Sequence, residues 1–464
     1  MTRTAVINVV GLSDSLLGSH TPNLQKFAAL LSRGTIVPAF PAVTCTAQSD
    51  YVTGLSASHH GIVGNGWYNR QMAEVQFWKQ SNHLVTAPKI WDELKRQDPS
   101  FTCAKLFWWY NMYSSADYSI TPRPMYPADG RKVFDVYTWP FSIRTEIKKE
   151  LGEFPFPAFW GPAAGMRSAQ FAPDAVSKWI AESAKWIENL YHPTLSLVYL
   201  PHLDYNLQRF GPNHPSINED LAQIDAIVGD LIKFFEKSGV QVIVLSEYGI
   251  TEVDRPIHLN RLFRQKGWLT IKEELGLELL DAGASKAFAV ADHQIAHIYV
   301  NDLSILNKVR EVISQQQGVE QILGAEEKSI KGIDHERAGD LIAISDTRSW
   351  FTYYYWLDDA LAPDFARCVD IHRKPGYDPV ELFIDPALKF PKLKIVSKLL
   401  KKKLGFRMLM DVIPLDANLV KGSHGRVSDN ISEQPVILVQ NQKLPRSQIQ
   451  STEVYNIIRT AVRG

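Results

Sequence analysis

Several ionisable side chains stand at spacings that would bring them onto one face of an extended segment. His202 and Asp204 are two residues apart, as are Asp370 and His372, and alternate residues of a strand share a face. A third cluster is Asp292-His293 with His297 nearby. A carboxylate beside an imidazole can move a proton or hold a divalent cation. Arg373 and Lys374 follow His372 directly and suit a phosphate or carboxylate. A single histidine is more commonly a surface or hydrogen-bonded residue. The density of partners therefore ranks His372 first, with His202 and His293 behind it. The three cysteines, Cys45, Cys103 and Cys368, are too few and dispersed for a disulfide framework or a thiolate zinc site.

The elements that must position these groups can be read from hydrophobic runs. Short apolar stretches at residues 5–10, 195–200, 240–245 and 295–300 alternate with helical segments. That pattern indicates an α/β fold with a mainly parallel central sheet flanked by helices. The first three runs end at Gly11, at Pro201 and in the turn-prone residues 246–249. Ligands of open α/β sheets bind beyond the carboxyl ends of strands. Between the second and third runs, Ser216 and Glu219 have capping-box spacing. Leu221, Ile224, Val228, Leu231 and Phe235 then form one apolar stripe, and Gly239 stands where the helix should stop. A strand–helix–strand unit follows, with its strand ends expected side by side. Residues 67–162, rich in Trp, Tyr and Pro, are expected as loops over the sheet edge. Residues 254–340 read as a smaller inserted cap, leaving 1–253 and 341–464 as the core.

The segment Pro38-Ala39-Phe40-Pro41-Ala42-Val43-Thr44-Cys45-Thr46 precedes Val52-Thr53-Gly54-Leu55 and His60-Gly61-Ile62-Val63-Gly64-Asn65. With Thr21-Pro22-Asn23-Leu24, Asp204, Phe210-Gly211-Pro212 and Gly422-Ser423-His424-Gly425, these motifs occur in an order that resembles the alkaline phosphatase superfamily. The resemblance is strongest to its nucleotide pyrophosphatase/phosphodiesterase branch and spans nearly the whole chain. It implies that Thr44 attacks phosphorus in line and that Asn65, with a backbone amide near Cys45, holds phosphoryl oxygens. It also implies two zinc ions that activate the hydroxyl, since an unassisted hydroxyl is a poor nucleophile and charge developing on phosphorus needs fixed donors.

The metal positions depart from that pattern. Val10 stands where the family has a ligating Asp, Gln208 where it has a His, and Glu247-Tyr248 where it has Asp-His. Asp204 and His424 are retained. Asp204, Glu247 and His424 are the expected ligands, enough for a single divalent ion, and the two-zinc arrangement does not carry over intact. Zinc comes first, with magnesium or manganese as alternatives suited to oxygen-rich ligation. Gln208, His202, His372, Asp370 and His293 are further candidates for the site. Arg373, Lys374, Trp67 and Tyr68 are candidates for holding substrate, the aromatics (with Trp78) by stacking on a leaving group.

The chain has 464 residues with 50 basic against 50 acidic side chains, so no global field draws a nucleic-acid polymer. The first apolar run is too short for a signal peptide or a span, and a cytoplasmic protein without a membrane partner is expected. Residues 392–407 form a basic amphipathic stretch, read as a core-packed helix with a solvated lysine face. The aromatic run 350–356 reads as core. The expectation is a metal-dependent hydrolase of a phosphodiester or pyrophosphate bond in a small phosphorylated substrate. The alternative is a catalytically divergent or inactive relative that binds a phosphorylated metabolite or a partner protein.

Overall fold

The computed structural model describes residues 1–29, 32–168 and 170–464. Its centre is a nine-stranded sheet in the order Gln448–Gln450, Ser32–Val37, Val436–Val439, Gln241–Leu245, Thr4–Val9, Leu195–Leu200, Cys103–Leu106, Tyr118–Pro122, Val136–Trp139. The five strands from Gln241–Leu245 to Tyr118–Pro122 run parallel. Thr4–Val9 and Leu195–Leu200 are buried at every position. Such mostly apolar runs, broken by Asn8 and Ser196, are what a parallel strand covered on both faces requires. The strands on either side of Leu195–Leu245 do not lie side by side: Thr4–Val9 inserts between them, pairing Val9 with Leu200 and Asn8 with Leu245. All three still deliver their carboxyl ends to one edge.

Helix Ile217–Lys237 buries the expected stripe of Leu221, Ile224, Val228, Leu231 and Phe235. The capping box is absent. Ser216 already has helical dihedrals, and its hydroxyl caps nothing. Instead the helix caps another: the Asp225 carboxylate accepts from the backbone N–H groups of Asn23 (3.0 Å) and Leu24 (2.8 Å), at the start of Pro22–Ala29. The aromatic stretch 67–162 is more than loops, since it supplies three strands of the main sheet. Its short strands carry few period-two repeats, which hides them in the sequence.

A second, four-stranded sheet has the order Ala287–Asp292, Ile295–Val300, Leu341–Ser345, Val319–Leu323. Leu341–Ser345 pairs with Ile295–Val300, so this sheet continues past the boundary expected at residue 340. Its core also draws in Trp350, Phe351 and Tyr353–Trp356, all buried, together with residues as far as Val420. The run 350–356 is core, as its composition indicates, though only Ser349–Phe351 is strand.

Helix Pro391–Lys403 contradicts the core-packed reading of the basic stretch, because none of its residues is buried. Among the described residues, no helix is long and apolar enough to cross a membrane.

One close approach ties the C-terminal part of the core to the helix that follows strand Leu195–Leu200. Strand Gly422–Ser423 lies against helix His202–Phe210, where a Cβ on Gly422 would stand 2.0 Å from the Leu207 carbonyl oxygen. Only glycine fits there. Gly422→Ala is expected to cost about 3 kcal/mol, the upper end of overpacking penalties. An unchanged urea-unfolding midpoint would contradict this contact.

Candidate active site

Thr44 is the first residue of helix Thr44–Thr53, whose ten residues are all buried. Val43 precedes it and has no side chain able to cap, so the first turn needs outside acceptors. Asn65 supplies one: its Oδ1 accepts the Cys45 N–H at 3.1 Å. The Asn65 amide is oriented by Asp292, which accepts its backbone N–H at 2.8 Å and its Nδ2–H at 3.1 Å. Asn65 and the Cys45 amide, expected to hold phosphoryl oxygens, are thus adjacent but bonded to each other.

Asp292 and His293 reach the site from the second sheet. They form one side of the tight hairpin between Ala287–Asp292 and Ile295–Val300, with His293 at φ +63°. A two-residue hairpin needs such a left-handed residue. The hairpin is held by the Gln294 N–H donating to the His424 carbonyl at 2.8 Å. This places the His293 ring 3.7 Å, centre to centre, from His424 and 3.5 Å from Tyr377.

Tyr248 connects the nucleophile candidate to a carboxyl. Its hydroxyl is 3.2 Å from Thr44 Oγ1 and donates to Asp204 Oδ1 at 3.4 Å. With that proton committed to Asp204, Thr44 is the donor to Tyr248. Its ring lies flat on His424, 3.6 Å centre to centre and 8° from parallel. On the other side of Asp204, Gln208 Nε2 donates to Oδ2 at 2.7 Å, and the Tyr377 hydroxyl donates to Gln208 Oε1 at 2.9 Å, fixing the orientation of that amide. Burial pushes the Asp204 carboxyl up to about 7, against the hydrogen bonds from Gln208 and Tyr248.

Glu247 is fully buried, directly after strand Gln241–Leu245 and Ser246. Its Oε1 accepts from Asn8 Nδ2 at 2.5 Å and Gln48 Nε2 at 2.6 Å. The Trp109 N–H donates to Gln48 Oε1 at 2.8 Å and so orients that amide. Burial raises the Glu247 carboxyl to about 8, with the bonds from Gln48 and Asn8 pulling the other way. His424 donates from Nδ1 to the Ala42 carbonyl at 2.8 Å. Burial holds it well below the usual histidine range, so it is neutral with its lone pair on Nε2.

These groups surround one cavity. Thr44, Asn65, Asp204, Tyr248, His293, Tyr377 and His424 line it, and Trp78, Trp109, Phe159, Trp160, Tyr199 and Tyr205 complete a largely aromatic wall. No lysine or arginine among the described residues lines it. The expected cations are elsewhere. Arg373 is exposed and pairs with Asp364 at 2.9 Å, while Lys374 is buried between Asp378 (2.7 Å) and Glu381 (2.8 Å). Ile371, next in sequence, reaches the wall in their place. His372 turns its Nδ1 towards the Phe77 carbonyl at 3.3 Å, and Asp370 donates its backbone N–H to Glu381. His202 is buried away from the cavity, and burial lowers it to about 4. Of the stacking candidates only Trp78 reaches the wall. Trp67 lies under the Arg337 guanidinium, and Tyr68 packs edge-on against Phe288 and Tyr299.

The expected ligands Asp204, Glu247 and His424 are not gathered into a coordination sphere. Among the described residues no three His, Cys, Asp or Glu side chains converge as a bound metal requires. The donor chemistry gives the reason. Amide N–H groups of Gln208, Asn8 and Gln48 already occupy Asp204 Oδ2 and Glu247 Oε1, which leaves Glu247 Oε2 as the oxygen of that carboxyl without a donor among the described residues. Val10 adds a fully buried apolar side chain at the end of the first strand.

Sequence reasoning missed Asn8, Gln48 and Tyr377, all of which orient site groups from segments without a recognisable motif. It also assigned Lys374 to substrate, whereas Lys374 neutralises two buried carboxylates. Lys374→Met is expected to destabilise the fold by about 3–5 kcal/mol by leaving Asp378 and Glu381 uncompensated. A urea midpoint within experimental scatter of the parent would refute that role.

A family model described as type I phosphodiesterase / nucleotide pyrophosphatase matches residues 4–378. An uncharacterised pyrophosphatase/phosphodiesterase of Schizosaccharomyces pombe is 25% identical over 271 residues, covering 56% of this chain and 47% of that protein. The chain thus spans about half the length of that curated relative. Among solved structures, murine ectonucleotide pyrophosphatase/phosphodiesterase 5 in complex with AMP has a TM-score of 0.57 at 14% identity, covering 100% of this chain and 95% of its own. Phosphonoacetate hydrolase from Sinorhizobium meliloti in complex with phosphonoformate has a TM-score of 0.60 at 14% identity, covering 99% and 96%. At that identity the two likenesses speak for the fold. With the family model spanning most of the chain, this protein belongs to the type I phosphodiesterase/nucleotide pyrophosphatase family, in the alkaline phosphatase superfamily.

Proposed function

We propose that this chain hydrolyses a phosphodiester or pyrophosphate bond in a small phosphorylated substrate, with Thr44 as the nucleophile. The observation that carries this reading is the chain of contacts Thr44–Tyr248–Asp204 at the wall of the cavity. As Thr44 Oγ1 attacks phosphorus, its proton passes to the Tyr248 oxygen while the Tyr248 proton passes to Asp204. The leaving group departs with the electron pair of the broken P–O bond, and water then releases the threonyl ester. Tyr199 and Tyr205 add to the aromatic wall around that chain of contacts. AMP in the murine relative and phosphonoformate in the bacterial one are small phosphorus-containing ligands, the class this reading assigns to the chain.

A divalent ion would supply Lewis-acid stabilisation in a family member that binds one. The residues present here do not fit the two-ion arrangement, because three of its ligand positions hold Val10, Gln208 and Tyr248 and the remaining carboxylates carry amide donors. No step above is therefore routed through a metal. The same substitutions favour a second reading, a divergent relative that binds a phosphorylated metabolite without cleaving it.

Hydrolysis of an activated aryl phosphodiester separates the two. The proposal expects measurable turnover by the parent protein, a loss of about a thousandfold or more in Thr44→Ala, and, in acid-quenched samples, a Thr44 adduct that carries the phosphoryl group with its remaining ester substituent. Absence of turnover, or full turnover in Thr44→Ala, would refute it.

A further inference from the structure

Helix Pro391–Lys403 presents an apolar face to solvent, away from the protein. The half-buried positions are Pro391, Lys394, Ile395 and Lys398, spaced as one face of a helix. Ile395 packs against the second core, and Lys394 and Lys398 close on the Asp411 carboxylate at 3.1 and 2.7 Å. These contacts orient the helix about its axis. At 3.6 residues per turn, Leu393, Leu400 and Leu404 then fall within about 40° of one another on the outer side, with Val396 adjoining. Leu393 is 67% exposed and Leu404 73%. Phe390 and Phe406, at either end, are also exposed.

The charge around this face has one sign. Residues 389–407 contain eight basic side chains and no acidic one. Lys392 and Lys403 flank one side of the leucine row and Lys401 the other. Apart from Lys394 and Lys398, none of the eight is in an ion pair among the described residues. The surface continues onto the neighbouring loop. A Cβ on Gly130 would stand 3.9 Å from the Arg407 guanidinium, and in the same loop the Lys132 ammonium lies over the ring of exposed Phe134.

From this arrangement we infer that helix Pro391–Lys403 seats the protein on an anionic membrane surface, lying in the interface with its leucines in the acyl boundary. An outward apolar row with lysines on both sides matches a bilayer, whose anionic headgroups take the ammonium groups while the stems follow the leucines inwards. A nucleic acid offers nothing to the leucine row. A second copy of this face would bring two sets of lysines together without compensating acids. The 13-residue helix spans about 20 Å, which suits a helix in the plane of the surface and is too short to cross a bilayer.

The test is co-sedimentation of the full-length protein with vesicles of phosphatidylcholine alone and of phosphatidylcholine with about 30% phosphatidylserine. The inference expects pelleting with the anionic vesicles only, weakened by raised salt. Leu393→Glu/Leu400→Glu and Lys401→Glu/Lys402→Glu/Lys403→Glu should each weaken it by about tenfold or more. The replaced side chains are exposed, and an unchanged circular dichroism spectrum and unfolding midpoint verify that each variant is folded. Failure of the parent protein to pellet, or equal pelleting by folded variants, would overturn the inference. So would a concentration-dependent dimer that the leucine variants dissolve, because that assigns the face to a second copy.

Discussion

Two carboxyls, Asp204 and Glu247, are buried at the ends of the central strands, and neither forms an ion pair among the described residues. A carboxylate in such a place is costly unless donors converge on it, and the surroundings are built to provide them. Asn8 and Gln48 meet on one oxygen of Glu247, Gln208 and Tyr248 on the two oxygens of Asp204. Each amide is in turn oriented from behind, Gln48 by the Trp109 backbone and Gln208 by Tyr377. The ends of the first strand, the Thr44 helix and the segment around Tyr377 are therefore held in one hydrogen-bonded unit. What burial does not recover from these bonds is expressed as carboxyls that hold their protons up to about 7 and 8.

The second sheet is part of that unit and no mere cover. Its hairpin tip supplies Asp292, which sets Asn65, which in turn accepts from the first turn of the Thr44 helix. The tip is itself anchored to the backbone of His424. A displacement of the hairpin would move the start of the Thr44 helix and the two imidazoles together, so the nucleophile candidate and the cavity wall share one mechanical support.

The parallel core was readable because buried strands leave mostly apolar runs, as at Thr4–Val9 and Leu195–Leu200 with Asn8 and Ser196 as interruptions, and helix Ile217–Lys237 because its stripe has a clear period. Thr44, Asn65, Asp204, Glu247, His293 and His424 do meet around the strand ends, since ordered motifs report positions on a shared scaffold. What each group does there was less legible. Asn65 looks the same in sequence whether its amide faces a ligand or Asp292. Arg373 and Lys374 are adjacent and chemically alike, yet one is exposed and the other locked between two carboxylates, a difference set by the way residues 378–381 fold back onto Lys374. The period of helix Pro391–Lys403 was plain, but periodicity says only that one face differs from the other. Asp411, outside the helix, decides which face turns outward.

Amide and phenol donors converge on both oxygens of Asp204 and on one of Glu247, the arrangement of a site that works without a metal. Elemental analysis of untagged, full-length protein addresses that directly, combined with hydrolysis assayed before and after exhaustive chelation. A metal content far below one equivalent per chain, with turnover unaffected by the chelator, is the expected result. One or two equivalents of tightly held zinc, manganese or magnesium, with activity lost on chelation and restored by that metal, would contradict it.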